Sequence, residues 1–244
     1  MLALIDEMGA SIIYWLTAQY RDSPPALAQD ATPSREMQKR FQDVAKRWQY
    51  KFDKAAPKIA KAYLDGSFKA VDSAMRMALK DVGFAVKFQM TPAMRDALNA
   101  SLDENVGLIR SIPAQYLQQV EGVISRAYAN GHGLDAMVKQ LKLLYPKAAN
   151  RAAIIARDQS NKATAVMART RQLDLGIEDA IWLHSHGGKT PRPEHVKAGR
   201  EKRRYKIAVG CPIPNEKGEL EYIQPGEKIN CRCVSRPVLP GLTQ

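Results

Sequence analysis

The chain has 244 residues, 45% of them apolar, which is enough to bury a sizeable core in one domain or two unequal ones and excludes disorder as the starting assumption. With 37 Lys and Arg against 25 Asp and Glu the net charge is +12, a field that attracts phosphate polyanions and makes nucleic acid a leading partner. Three cysteines, an odd number, and no basic leader with a cleavable apolar core argue against a secreted disulfide scaffold and for folding in reducing cytoplasm.

In chain order, the first apolar run covers residues 2–16 and is broken by Asp6 and Glu7, so it falls short of the ~20 apolar residues that span a bilayer. As a helix within residues 1–22 it puts Leu4, Ile5, Ile12, Trp15 and Leu16 on one apolar surface. That surface docks on the protein's own body in the preferred reading. Transient membrane contact is the alternative. Residues 23–33 pair two prolines with small and polar residues and read as a linker.

Residues 34–150 form a helical body. Phe41, Val44, Ala45, Trp48 and Phe52 recur at three and four residues until Pro57, which is expected to interrupt the helix, and Val71, Met75, Leu79 and Val82 continue the pattern. Thr91-Pro92 is a start signal, a hydroxyl cap before a residue with no amide donor to satisfy, and Met94, Leu98, Leu102, Val106 and Ile109 follow on one face. Pro113 is expected to open a further helix that buries Leu117, Val120, Ile124 and Ala127 or Tyr128 and closes at Asn130-Gly131. His132, in the turn after it, reads as a solvated surface group, and Leu134, Val138 and Leu141 make a short sequel.

Residues 151–176 read as the last long helix, with Ile155, Val166, Met167 and Thr170 inward and Arg157, Asp158, Lys162, Arg169 and Arg171 outward. Beyond Gly176-Ile177 the helical period stops and short β-prone pieces at residues 205–209 and 220–223 are expected to pair as a hairpin. The fold class is therefore α+β, a predominantly helical N-terminal region followed by a small α+β lobe with short strands. No P-loop, dinucleotide glycine fingerprint or nucleophile elbow occurs.

The lobe holds every cysteine. Trp182, a His/Gly/Pro stretch ending at His195, then Cys211 and Asn230-Cys231-Arg232-Cys233 make one cassette with two open readings. His195, Cys211, Cys231 and Cys233 have the donor types of a Cys3His zinc site, with His184 or His186 as substitutes for His195. Alternatively the cysteines are small buried hydrophobes and His195 bonds a carbonyl. Glu194-His195 in a basic module also fits a metal-dependent nuclease in composition, but no metal-binding acid pair completes it, so no catalytic residue is assigned. Lys189, Arg192, Lys197, Arg200, Lys202, Arg203 and Arg204 form the densest cationic stretch, a candidate contact to the phosphate backbone of double-stranded DNA.

In order and spacing, Arg151, Ile155-Ala156-Arg157, Gly176-Ile177, Trp182, Arg192, His195, Gly210, Pro214 and Asn230-Cys231-Arg232-Cys233 resemble the phage Mu F-like minor head protein family over residues 151–239, leaving 240–244 as a tail. Glu104-Asn105-Val106, Leu108-Ile109 and Ser111-Ile112-Pro113 extend the resemblance upstream. It implies a non-enzymatic minor head protein of a tailed bacteriophage, located in the virion at the head interior or portal vertex. Portal protein, major capsid protein or scaffold, and packaged DNA are the implied partners, and in some relatives the protein leaves with the genome. Many relatives carry an aspartate shortly after the tryptophan, where this chain has His184-Ser185-His186, and Cys211 is not a general family feature. A zinc-stapled DNA-binding protein or a nuclease is the alternative.

Overall fold

The structure, a computed structural model, describes residues 1–22, 32–81, 83, 85–130 and 134–239. Most of the linker expected at 23–33, Val82, the turn holding Gly131 and His132, the Tyr128 side chain and the tail at 240–244 lie outside the described residues. The chain is α+β: α1 (Leu2–Asp22), α2 (Thr32–Asp81), α3 (Pro92–Ala129) and α4 (Leu134–Asp174) precede a small lobe of five short strands and one short helix. No helix among the described residues is long and apolar enough to cross a membrane.

Three prolines sit inside helices, two of them, Pro57 and Pro113, where the sequence predicts a helix boundary. Pro57 lies within α2, Pro113 within α3 and Pro146 within α4, so the separate helices expected from Pro113 and from Arg151 are parts of longer ones. A proline removes one amide donor, costing about 3 kcal/mol in a free helix. Burial on both sides offsets this. Phe52, Ala56 and Ala60 bracket Pro57, and Ile109, Ile112, Tyr116 and Leu117 bracket Pro113, all at most 6% exposed. Each large apolar side chain so buried contributes about 1.5–3 kcal/mol, enough for the inward stripe to carry the helix past the lost bond.

Contacts divide the chain into two compact units, Met1–Ala60 with Glu104–Ile155, and Lys61–Asp103 with Ala156–Gln244. In the first, the apolar stripe of α1 (Ile5, Met8, Ile12 and Leu16) is fully buried, as are Phe41 and Phe52 of α2, and Trp15 meets Phe41 with ring centroids 6.0 Å apart. The face that a lipid surface would need is therefore covered by protein. In the second unit, Thr91 caps α3 by accepting the Met94 amide at 3.3 Å, and Val71, Met94 and Met167 form a small apolar cluster. Gly176, at φ 71°, closes α4 in the left-handed conformation, with the Ile177 amide returning to the Gln172 carbonyl.

The lobe in this second unit is built on β1 (Asp179–Leu183), α5 (Pro193–Arg200), β2 (Arg204–Lys206), β3 (Cys211–Pro214), β4 (Leu220–Ile223) and β5 (Val234–Pro237). β1 is the centre of an antiparallel sheet ordered β2-β1-β5, and β3 pairs with β4 in a second one. The hairpin expected between residues 205–209 and 220–223 does not form: Tyr205 stands opposite Ala180, and Ile223 opposite Cys211. Residues 211–214, expected as a connection, are themselves a strand. Pro212 and Pro214 hid its alternation, but proline is tolerated in a two-stranded edge pair, where Cys211 and Ile213 turn inward. Asn215 shapes the turn by accepting the amides of Lys217 and Glu219 on its side-chain oxygen.

Candidate metal centre

Three elements aim polar side chains into the lobe core. Strand alternation turns Ala180 and Trp182 of β1 inward, both completely buried. Pro193 opens α5, whose inward residues are His195 and Ala198. The segment before β5 contributes Cys231 and Cys233 on one side, while Arg232 between them reaches out to the Gly187 carbonyl. His195, Cys231 and Cys233 are 4 to 5% exposed.

Their donor atoms converge. His195 Nδ1 is 3.5 Å from Cys231 Sγ and 3.8 Å from Cys233 Sγ, and all three atoms lie within 4.8 Å of one another. A tetrahedral zinc ion with Zn–S of ~2.3 Å and Zn–N of ~2.0–2.1 Å requires S···N edges of about 3.6 Å. The group can therefore hold a metal ion with little rearrangement. Trp182 packs edge-on against His195 at 5.0 Å, shutting one side of the group from water.

The thiols are tuned unequally. Cys231 is held well below the ordinary thiol range, first by a hydrogen bond from Cys233, against the penalty of burial, and further by His195 and the amides of Cys233 and Gly226. Cys233 is raised in turn, first by its bond to Cys231 and then by burial. The fully buried Trp182 indole N–H has no hydrogen-bond partner of good geometry, yet it favours the Cys233 thiolate it faces. His184 is half-buried. Burial holds its imidazole below the usual range, His186 pushes the same way, and Cys231 opposes.

Cys211 is not brought into this group. It lies on β3, fully buried among Ile207, Ile213 and Ile223, and burial pushes its thiol up to about 11. The four-member set expected from the sequence therefore reduces to three, because strand alternation turns Cys211 into apolar surroundings. His186 is exposed, with Nδ1 3.3 Å from that of His184. No disulfide links the three cysteines.

The cationic stretch is dispersed by local pairing. Arg192 spends both terminal nitrogens on the Ile229 carbonyl at 3.2 Å, tying the start of α5 to the cysteine segment. Arg203 bonds Glu201 and the Pro212 carbonyl, Arg204 bonds Asp179, and Lys197 stands 3.9 Å from Glu201. Lys189, Arg200 and Lys202 are exposed at the surface.

Two positioning residues escaped the sequence reading. Asp158, expected outside α4, is buried, and its Oδ1 accepts the Asn230 amide at 2.5 Å while Oδ2 lies 3.5 Å from Lys162. Asn230 has φ 58°, so this bond fixes a left-handed turn that launches Cys231 inward. The signal was the motif Ile155-Ala156-Arg157-Asp158-Gln159, in which Gln159 is also buried. Gly226 is the second. At φ 86°, a Cβ there would stand 2.6 Å from Ala165 Cβ on α4. Gly226→Ala is expected to cost about 2–4 kcal/mol through strain and overpacking, read as a lower urea midpoint at unchanged slope.

Residues 118–236 match the family described as Phage Mu protein F like protein. An uncharacterized protein of Haemophilus influenzae (strain ATCC 51907 / DSM 11121 / KW20 / Rd) is 31% identical over 154 residues, covering 63% of this chain and 32% of the relative. The chain thus spans about a third of that relative's length. No solved structure matches.

Proposed function

We propose, from the match of residues 118–236 to the phage Mu protein F-like family, that the protein is a minor head protein of a tailed bacteriophage. It acts in head morphogenesis at the portal vertex, alongside packaged DNA. The family match across the whole lobe carries the reading. Two features support it. The cassette is buried behind Trp182, as suits a group that holds the lobe together rather than one that meets substrate, and the apolar stripe of α1 is spent on the protein's own core. Two thiolates and an imidazole suit zinc, and in this reading the ion supplies a fixed crosslink.

DNA contact through the lobe is the weaker part, since Arg203 and Arg204 are ion-paired and leave Lys189, Arg200 and Lys202 as the more available cations. Quantitative mass spectrometry of intact particles and of co-expressed portal complexes tests the reading. The expected result is retention with portal at a copy number far below that of the major shell protein. Absence from both preparations would overturn the head role and bring forward a free DNA-binding protein.

A further inference from the structure

We propose that His184 is the fourth ligand of a closed tetrahedral zinc site with His195, Cys231 and Cys233. The inference rests on the metal reading of that group and is independent of the role in the head. Three buried donors leave one corner of a tetrahedron unfilled, and a structural zinc site fills it with a protein side chain.

His184 directly follows β1, two residues beyond the Trp182 that packs on His195. Its main chain is pressed against α5: a Cβ on Gly199 would stand 2.5 Å from His184 Cβ and 2.9 Å from its backbone nitrogen. Gly199 comes four residues after His195, so the two share a helix face, and the absence of a side chain at 199 lets His184 approach within one helical turn of His195. The His184 ring is half-buried.

The surroundings suit thiolates that carry a cation. The fully buried indole N–H of Trp182, on the ring that packs against His195 at 5.0 Å, has no hydrogen-bond partner. Such an outer donor orients ligands and disperses their charge. His186 is the competitor, because its Nδ1 lies 3.3 Å from that of His184 and its amide donates to His184 Nδ1 at 3.2 Å. Exposure and its place further along the loop set it behind His184.

The test uses the full chain purified without added metal, with zinc measured by elemental mass spectrometry, chelator competition, and the absorption spectrum of the cobalt(II)-substituted protein. Stoichiometric zinc is expected, with a four-coordinate cobalt spectrum carrying thiolate charge-transfer bands. His184→Ala should weaken zinc by more than about 100-fold, beyond the loss of an outer partner, and alter the cobalt spectrum. His184→Cys should restore tight binding, and His186→Ala should leave it unchanged. Because alanine keeps the Cβ that rests on Gly199, the variant is expected to retain the fold, and the cysteine variant decides the matter if it does not. Wild-type chain without zinc affinity would overturn the metal reading altogether. Zinc binding unaffected by His184→Ala, or lost instead in His186→Ala, would overturn the His184 assignment alone.

Discussion

Asp158→Ala is expected to destabilise the unit containing the lobe by about 2–4 kcal/mol, measured by urea unfolding, and to weaken metal retention in the same protein. The substitution strands the Asn230 amide, which now meets a carboxylate oxygen at 2.5 Å, and removes the carboxylate that stands 3.5 Å from the Lys162 ammonium, only 22% exposed. The estimate stays below the full cost of a broken buried pair because the Lys162 ammonium can swing toward water. More is lost than a contact. Asn230 holds φ 58°, and without the carboxylate the turn relaxes and the two sulfurs lose their common direction. Asp158→Asn keeps an acceptor for the amide but not the charge, so it should recover part of the stability. If alanine and asparagine both leave unfolding unchanged, the carboxylate does not hold the turn.

Asp72→Ala carries the other large effect, a loss of about 3–5 kcal/mol. Arg171 has a side chain only 3% exposed, donates from Nη2 and Nε to Asp72 Oδ1 at 2.8 and 3.2 Å and from Nη1 to the Gln89 carbonyl at 2.7 Å, and lies over the Phe88 ring at 4.4 Å. Removing the carboxylate leaves a buried guanidinium facing one neutral carbonyl and the rings of Phe88 and Phe68. Replacing both partners by apolar residues, Asp72→Leu with Arg171→Met, should recover most of the loss, since no unpaired charge then remains. A double-mutant cycle by urea unfolding measures the coupling, and simple additivity of the two losses would show that the pair does not act as a unit.

The same two residues mark where sequence reading falls short. Helical periodicity sorts residues into faces by apolar content, so Asp158 and Arg171, both polar, were placed outside α4, and only their partners, Asn230 and Asp72, give them an inside position. Those partners are 72 and 99 residues away along the chain. Local chemistry served better where the determinant was local. The Thr91 cap, the glycine closure at Gly176 and the switch from helix to short strands after it are each fixed by neighbours in sequence. Prolines misled in both directions, seeming to end helices whose flanking burial outweighs one missing donor, and hiding β3, whose inward residues are Cys211 and Ile213. The cysteine count could not tell a ligand from a core residue. That distinction depends on which strand face Cys211 occupies, and pairing with β4 decides it.

The strand order has a consequence for how the lobe is made. β1 is synthesised first among the strands but sits in the middle of its sheet, with β2 on one edge and β5 on the other. A chain emerging from the ribosome therefore presents Ile181 and Trp182 with both flanks unpaired, until Arg204–Lys206 covers one and Val234–Pro237 the other. Cys231 and Cys233 arrive just ahead of that last strand. Translation that stalls or stops before residue 234 leaves an open apolar strand edge, the kind of surface that recruits a second unfinished chain.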